Sequence, residues 1–76
     1  MREGDCVYLK QPFQPHPTTS ITFQQGIVAA IVIDESTDVV TDVLVQLYDP
    51  DQNTVYTDEQ GGKVLYCFSW DELEPT

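Results

Sequence analysis

Gln25-Gly26-Ile27-Val28-Ala29-Ala30-Ile31-Val32-Ile33 is the one long unbroken apolar run in the chain. Gly26 opens it, and Asp34-Glu35-Ser36-Thr37-Asp38 stops it. Its isoleucines and valines favour a strand, because β-branched side chains fit a pleated surface. Apolar residues fall on both parities, the pattern of a strand that meets protein on both faces. The run reads as the central strand of a small barrel. Ile21 and Phe23 lead into it, and a bend is expected at Gly26, where a glycine can carry a bulge or a corner.

Shorter apolar segments lie on either side. Cys6-Val7-Tyr8-Leu9-Lys10 alternates with period 2, as a half-buried strand does. Residues 11–20 contain Pro12, Pro15 and Pro17 and read as a loop, since a proline lacks a ladder donor. Residues 34–42 hold four acids and no aromatic residue and read as an exposed connection. Residues 43–48 form a strand with Val43, Val45 and Leu47 on one face. Asp49-Pro50-Asp51-Gln52-Asn53 is a turn by its proline and its backbone-bonding Asp and Asn side chains. Residues 54–57 and 63–68 are short strands separated by the turn Asp58-Glu59-Gln60-Gly61-Gly62. Ser69-Trp70-Asp71-Glu72 fits a capping box, and Pro75 limits the helix it opens to a single turn.

The sequence predicts an all-β fold: a small five-stranded antiparallel barrel with one short C-terminal helical turn. With 76 residues, 1–76 makes a single domain with one core. The layout resembles SH3-like barrels. The residues carrying the resemblance are Gly4-Asp5-x-Val7-Tyr8-Leu9, Gly26-Ile27-Val28, residues 43–47 and Phe68-Ser69-Trp70-Asp71-Glu72-Leu73. The resemblance implies a small accessory or translation- or transcription-associated domain. It does not by itself imply an activity.

Thirteen acidic side chains face only Arg2, Lys10 and Lys63, a net charge of −10. Such a surface repels phosphate backbones and anionic membranes, so neither nucleic acid nor membrane is expected as a partner. It suits a basic protein. No signal peptide is read at the N-terminus, and no apolar run reaches the ~18 residues of a membrane span. Two cysteines, Cys6 and Cys67, are too few for a disulfide scaffold. A cytoplasmic protein with reduced thiols is expected.

Catalytic and metal signatures are weak. Asp49-x-Asp51-x-Asn53 begins like a calcium loop, but Thr54 stands where the loop needs glycine and Gln60 where it needs glutamate. Cys6, Cys67 and His16 are too few and too scattered for structural zinc. A Cys–His pair would need a held imidazole, and His16 sits between two prolines. The expectation is no enzyme, no metal and no cofactor, with the cysteines acting as small buried hydrophobes. Pro12-Phe13-Gln14-Pro15 fits the P-x-x-P pattern, which also describes a plain rigid loop.

Eight aromatic residues exceed what a core of this size hides. Phe13, Tyr48, Tyr56 and Trp70 are the candidates for an exposed contact patch, since aromatic residues are enriched at interfaces. Phe13 can instead fold back as a lid on the barrel. The expected function is a small acidic non-enzymatic protein–protein interaction module, as an accessory subunit of a larger complex. The alternative is an acidic nucleic-acid mimic that occupies the basic groove of a DNA- or RNA-binding protein.

Overall fold

Val43, Val45 and Leu47 alternate with Leu44, Gln46 and Tyr48, and all three lie fully buried on one face of a strand. That alternation fixes the register of the sheet, because a one-residue slip would turn all three to the other face. In the computed structural model, which describes residues 1–15 and 21–75, the chain runs through six strands. They are β1 (Cys6–Phe13), β2 (Phe23–Asp34), β3 (Val39–Asp49), β4 (Thr54–Val55), β5 (Tyr66–Ser69) and β6 (Leu73–Pro75). A single 3-10 turn, Trp70–Glu72, joins β5 to β6.

The fold is all-β and every strand pair is antiparallel. The order across the sheet is β4-β3-β2-β1-β6, and β5 shares the outer side of β3 with β4. β5 bonds to β3 and β6 to β1, and among the described residues no ladder joins β5 to β6, so the sheet is not closed. Val7, Leu9, Phe23, Val28, Val43, Val45, Leu47, Phe68 and Leu73 form the core. Each fully buried side chain of this kind contributes about 1.5–3 kcal/mol. Among the described residues no helix is long and apolar enough to cross a membrane.

Four boundaries differ from the sequence expectation. β1 continues through Pro12 to Phe13 instead of breaking into a loop at residue 11. Its register against β2 shifts between Tyr8 and Phe13, an irregular stretch where a missing ladder donor is tolerated. β3 begins at Val39, so the acidic connection shrinks to residues 35–38. The strand expected at 54–57 stops at Val55, and the one expected at 63–68 runs from Tyr66 to Ser69; Thr57 and Lys63 make only an isolated bridge. Leu73–Pro75 adds a strand that three residues with one apolar side chain do not announce. Residues 16–20, the rest of the expected proline loop, lie outside the described residues.

The expected bend at Gly26 is also relocated. Val28 faces Val45 and Ala30 faces Leu44, so the extra residue in β2 is Ala29. Gly26 has a different reason to be glycine. It is buried between β1 and β3, opposite Val7 and Leu47. A Cβ there would overlap Val45 Cγ1 and lie 3.1 Å from the Gln46 carbonyl oxygen. Gly26→Ala is therefore expected to destabilise the fold by about 1–3 kcal/mol through overpacking. Urea denaturation reads this as a lower midpoint at constant slope, and an unchanged midpoint would mean that Val45 gives way freely.

Candidate interaction surface

Five of the eight aromatic side chains, Phe13, Phe23, Tyr56, Tyr66 and Phe68, pack on one another. Phe13 is half-buried, with its ring centroid 4.8 Å from Tyr66 at 61° and 5.5 Å from Phe68 at 77°. Tyr56, also half-buried, lies 5.7 Å from Phe23 at 69° and 6.5 Å from Tyr66. Edge-to-face pairs at these separations stabilise beyond simple burial. Loss of hydration, and after it the nearby Tyr56, raises the Tyr66 phenol above its ordinary value.

The structure therefore brings Phe13 and Tyr56 together through Tyr66. Phe13 is a strand residue at the end of β1 rather than a loop residue, and it is partly buried against the core. Tyr48 stands apart, half-buried, with its hydroxyl donating to Asn53 Oδ1 at 2.8 Å. Trp70 opens the 3-10 turn, 44% exposed and with no ring partner among the described residues. Phe13→Ala should lower stability by about 1–3 kcal/mol, below the ~3–5 of a fully buried phenylalanine. Thermal or urea unfolding measures it, and a change within about 0.5 kcal/mol would show that the ring is not a lid.

A groove of ≈ 270 Å³ runs between β1 and the 3-10 turn, with Leu9, Phe13 and Phe68 along it and Lys10, Asp71 and Glu72 at its polar positions. Glu72 is already engaged: it accepts the Ser69 backbone N–H at 2.9 Å and the Ser69 hydroxyl at 2.7 Å. Those two bonds, the hydroxyl first, hold its carboxyl below the ordinary range. The groove pairs apolar side chains with mixed charge.

The cysteines lie on different parts of the sheet. Cys6 is half-buried opposite Ile27 of β2, with its thiol 3.5 Å from Gln25 Oε1. Cys67 lies opposite Leu44 of β3 and is exposed, contrary to the expectation that both would be buried hydrophobes. Lost hydration raises the Cys67 thiol first, then the Asp42 carboxylate by charge and hydrogen bond, and then Glu72. His16 lies outside the described residues. Among the described residues, no three His, Cys, Asp or Glu side chains group to hold a metal ion. The calcium-like segment is a turn in which Asp49 Oδ1 accepts the Asp51 N–H at 3.0 Å. A raised thiol has less thiolate at pH 8, so Cys67 should react with iodoacetamide more slowly than free cysteine. Asp42→Asn should speed the reaction, as followed by peptide mapping; equal rates would remove the role of Asp42.

The largest departure from expectation is the far end of β2 and β3. Twelve residues at about 3.3 Å each reach roughly 40 Å, and the molecule measures 40 × 25 × 22 Å. β1 follows β2 only as far as Ile27, with two further backbone bonds at Val28: Gly4 N–H to the Val28 carbonyl at 2.7 Å, and Val28 N–H to the Asp5 carbonyl at 2.9 Å. β5 follows β3 only to Asp42. From Ala29 onward β2 is an edge among the described residues, but Ala30, Ile31 and Val32 still face Leu44, Val43 and Asp42, which β5 borders; only the pairs Ile33–Val40 and Asp34–Val39 lie beyond both neighbours, as the two-stranded tip of this β2–β3 arm.

The arm is closed by a short turn. Asp34 Oδ1 accepts the Ser36 N–H at 2.9 Å and its hydroxyl at 2.7 Å, and the Asp38 N–H donates to the Asp34 carbonyl at 2.7 Å. The Ser36 hydroxyl, then its N–H, holds the Asp34 carboxyl below its ordinary value. Asp38 sits at φ 57, the left-handed region that Asp tolerates better than most residues. On the arm Val32 is 43%, Ile33 50% and Val39 57% exposed. Apolar residues on both parities thus mark an uncovered strand end rather than a strand covered on both faces. The signal was present in the sequence: a chain this short with no helical periodicity lacks the material to cover both faces.

Comparison with known proteins returns no match: no family model, no curated protein and no solved structure.

Proposed function

We propose that this chain is a small acidic, non-enzymatic protein–protein interaction module of SH3-like layout, acting as an accessory subunit of a larger complex. The layout reading draws support from the path β6-β1-β2-β3, with β5 on the far side of β3 and a 3-10 turn between β5 and β6. The observation that carries the function is the β2–β3 arm. It keeps Val32, Ile33 and Val39 in water on a chain of net charge −10. Exposed apolar side chains grouped on one projecting element and rimmed by charge are the features of a docking surface. The partner is a protein with basic residues around an apolar seat.

Val32→Lys and Ile33→Lys test the reading. Both positions are half-exposed on the arm, so stability should stay within about 0.5 kcal/mol. Capture of the partner from an extract of the producing cells should be lost in both variants. Capture that survives both substitutions would remove the arm as the docking surface. Capture that is insensitive to them but collapses at high salt would favour the nucleic-acid mimic.

A further inference from the structure

We infer that the free edge of β2, residues 29–33, receives an added strand from a partner segment with an apolar middle and Lys or Arg at both ends. This rests on the module reading above and names its mode of binding. Beyond Val28 no strand borders β2 on the side away from β3 among the described residues. An open edge presents unpaired backbone donors and acceptors, and an extended peptide can complete the ladder there. Edges are commonly blunted by proline, lysine, charge or a bulge. Residues 29–33 are Ala-Ala-Ile-Val-Ile. They carry no proline, lysine or other charge; the ladder behind them has a bulge at Ala29, where the cover of β1 ends, and a second at Thr41 of β3, opposite Val32 and Ile33.

Charge selects the occupant. The base of the edge holds Glu3 and Asp5, with Arg2 beside them: the Arg2 N–H donates to Asp5 Oδ2 at 2.9 Å. The tip holds Asp34, Glu35 and Asp38. Five carboxylates thus flank an uncharged strand, against one guanidinium. A second copy paired antiparallel on this edge would set Asp34 and Glu35 of one chain near Glu3 and Asp5 of the other. Like charges brought together across strands are destabilising. A partner strand with basic ends meets opposite charge at both, and its apolar middle lies beside Ile31, Val32 and Ile33.

The probe is a synthetic nine-residue peptide, alternating valine and threonine in its middle and bearing two lysines at each end. Titration is followed by backbone amide shifts and hydrogen exchange of the intact chain. Binding is expected with slowed exchange confined to residues 29–34. The same peptide with glutamates for lysines should bind at least about tenfold more weakly. A version N-methylated through its middle should not bind, because it cannot form the ladder. Ile33→Lys should weaken the lysine peptide by about tenfold through repulsion.

Lysine-peptide binding that maps to the groove between β1 and the 3-10 turn, binding that survives N-methylation, or no binding at all would overturn the inference. So would a concentration-dependent dimer in sedimentation that protects the same amides, since the occupant would then be a second copy. The module reading is tested separately: capture lost in Val32→Lys and Ile33→Lys while the peptide fails would leave docking on the arm and remove strand addition.

Discussion

The β2–β3 ladder is the structure's dominant constraint, and it is longer than anything available to cover it. Gly26 lets the two strands close on Val45 in the middle of the sheet. From that seam the neighbours attach in staggered fashion. β1 and through it β6 cover the first half of β2, while β5 and β4 cover β3 from Asp42 to Asp49. The remainder is an arm that becomes two-stranded at Ile33–Val40 and Asp34–Val39, and an isolated two-stranded hairpin is marginal in water. The arm persists because it continues an established ladder and because Ile31 and Val40 still pack against the core, as does Met1. The cross-strand pairing of Ile33 with Val40 extends the ladder past the point where other strands end.

The same staggering explains which features were legible in the sequence. The alternation of Val43, Val45 and Leu47 and of Val7 and Leu9 gave the inward faces correctly, because period 2 is a direct consequence of the pleat. Turns rich in Asp, Asn and Gly were equally readable: Asp49 and Asp58 accept backbone N–H groups within their own turns, Asp58 at 2.9 and 2.6 Å. Ser69 and Glu72 meet as the capping pattern required. The misreadings share one cause. Whether residues 39–42 pair, whether Pro12 sits in a strand and whether residues 73–75 join a sheet are decided by neighbours distant in sequence, which local composition does not contain. Phe13 is the clearest case. Its proline flanks suggested a loop, but Tyr66 and Phe68, far along the chain, hold it against the core.

Four of the thirteen acids have a local use, and the charge as a whole has a global one. Asp34, Asp49, Asp58 and Glu72 each accept hydrogen bonds that close a turn. For Asp34 and Glu72 the folded state favours the ionised form. Their contribution is thus present above the ordinary carboxylate range and is lost as pH falls through their lowered values. Protonation of the other exposed acids works in the opposite direction, because it relieves the self-repulsion of a chain at −10.

That repulsion also accounts for how an apolar edge is tolerated in water. An uncharged β-branched strand edge is an association hazard, and its own flanks decide what associates with it. At residues 29–33 the flanking carboxylates stand at both ends of the edge, so another copy of the chain meets its own charge twice. Screening weakens this barrier as salt rises, over a Debye length of about 8 Å at physiological ionic strength. The spacing matters: Asp34 directly adjoins Ile33, and Asp5 is bonded to Val28 through its carbonyl, so each end of the edge has a carboxylate within that range. Asp34 serves in both respects: it closes the turn at the tip of the arm and is one of the carboxylates that another copy of the chain would meet there.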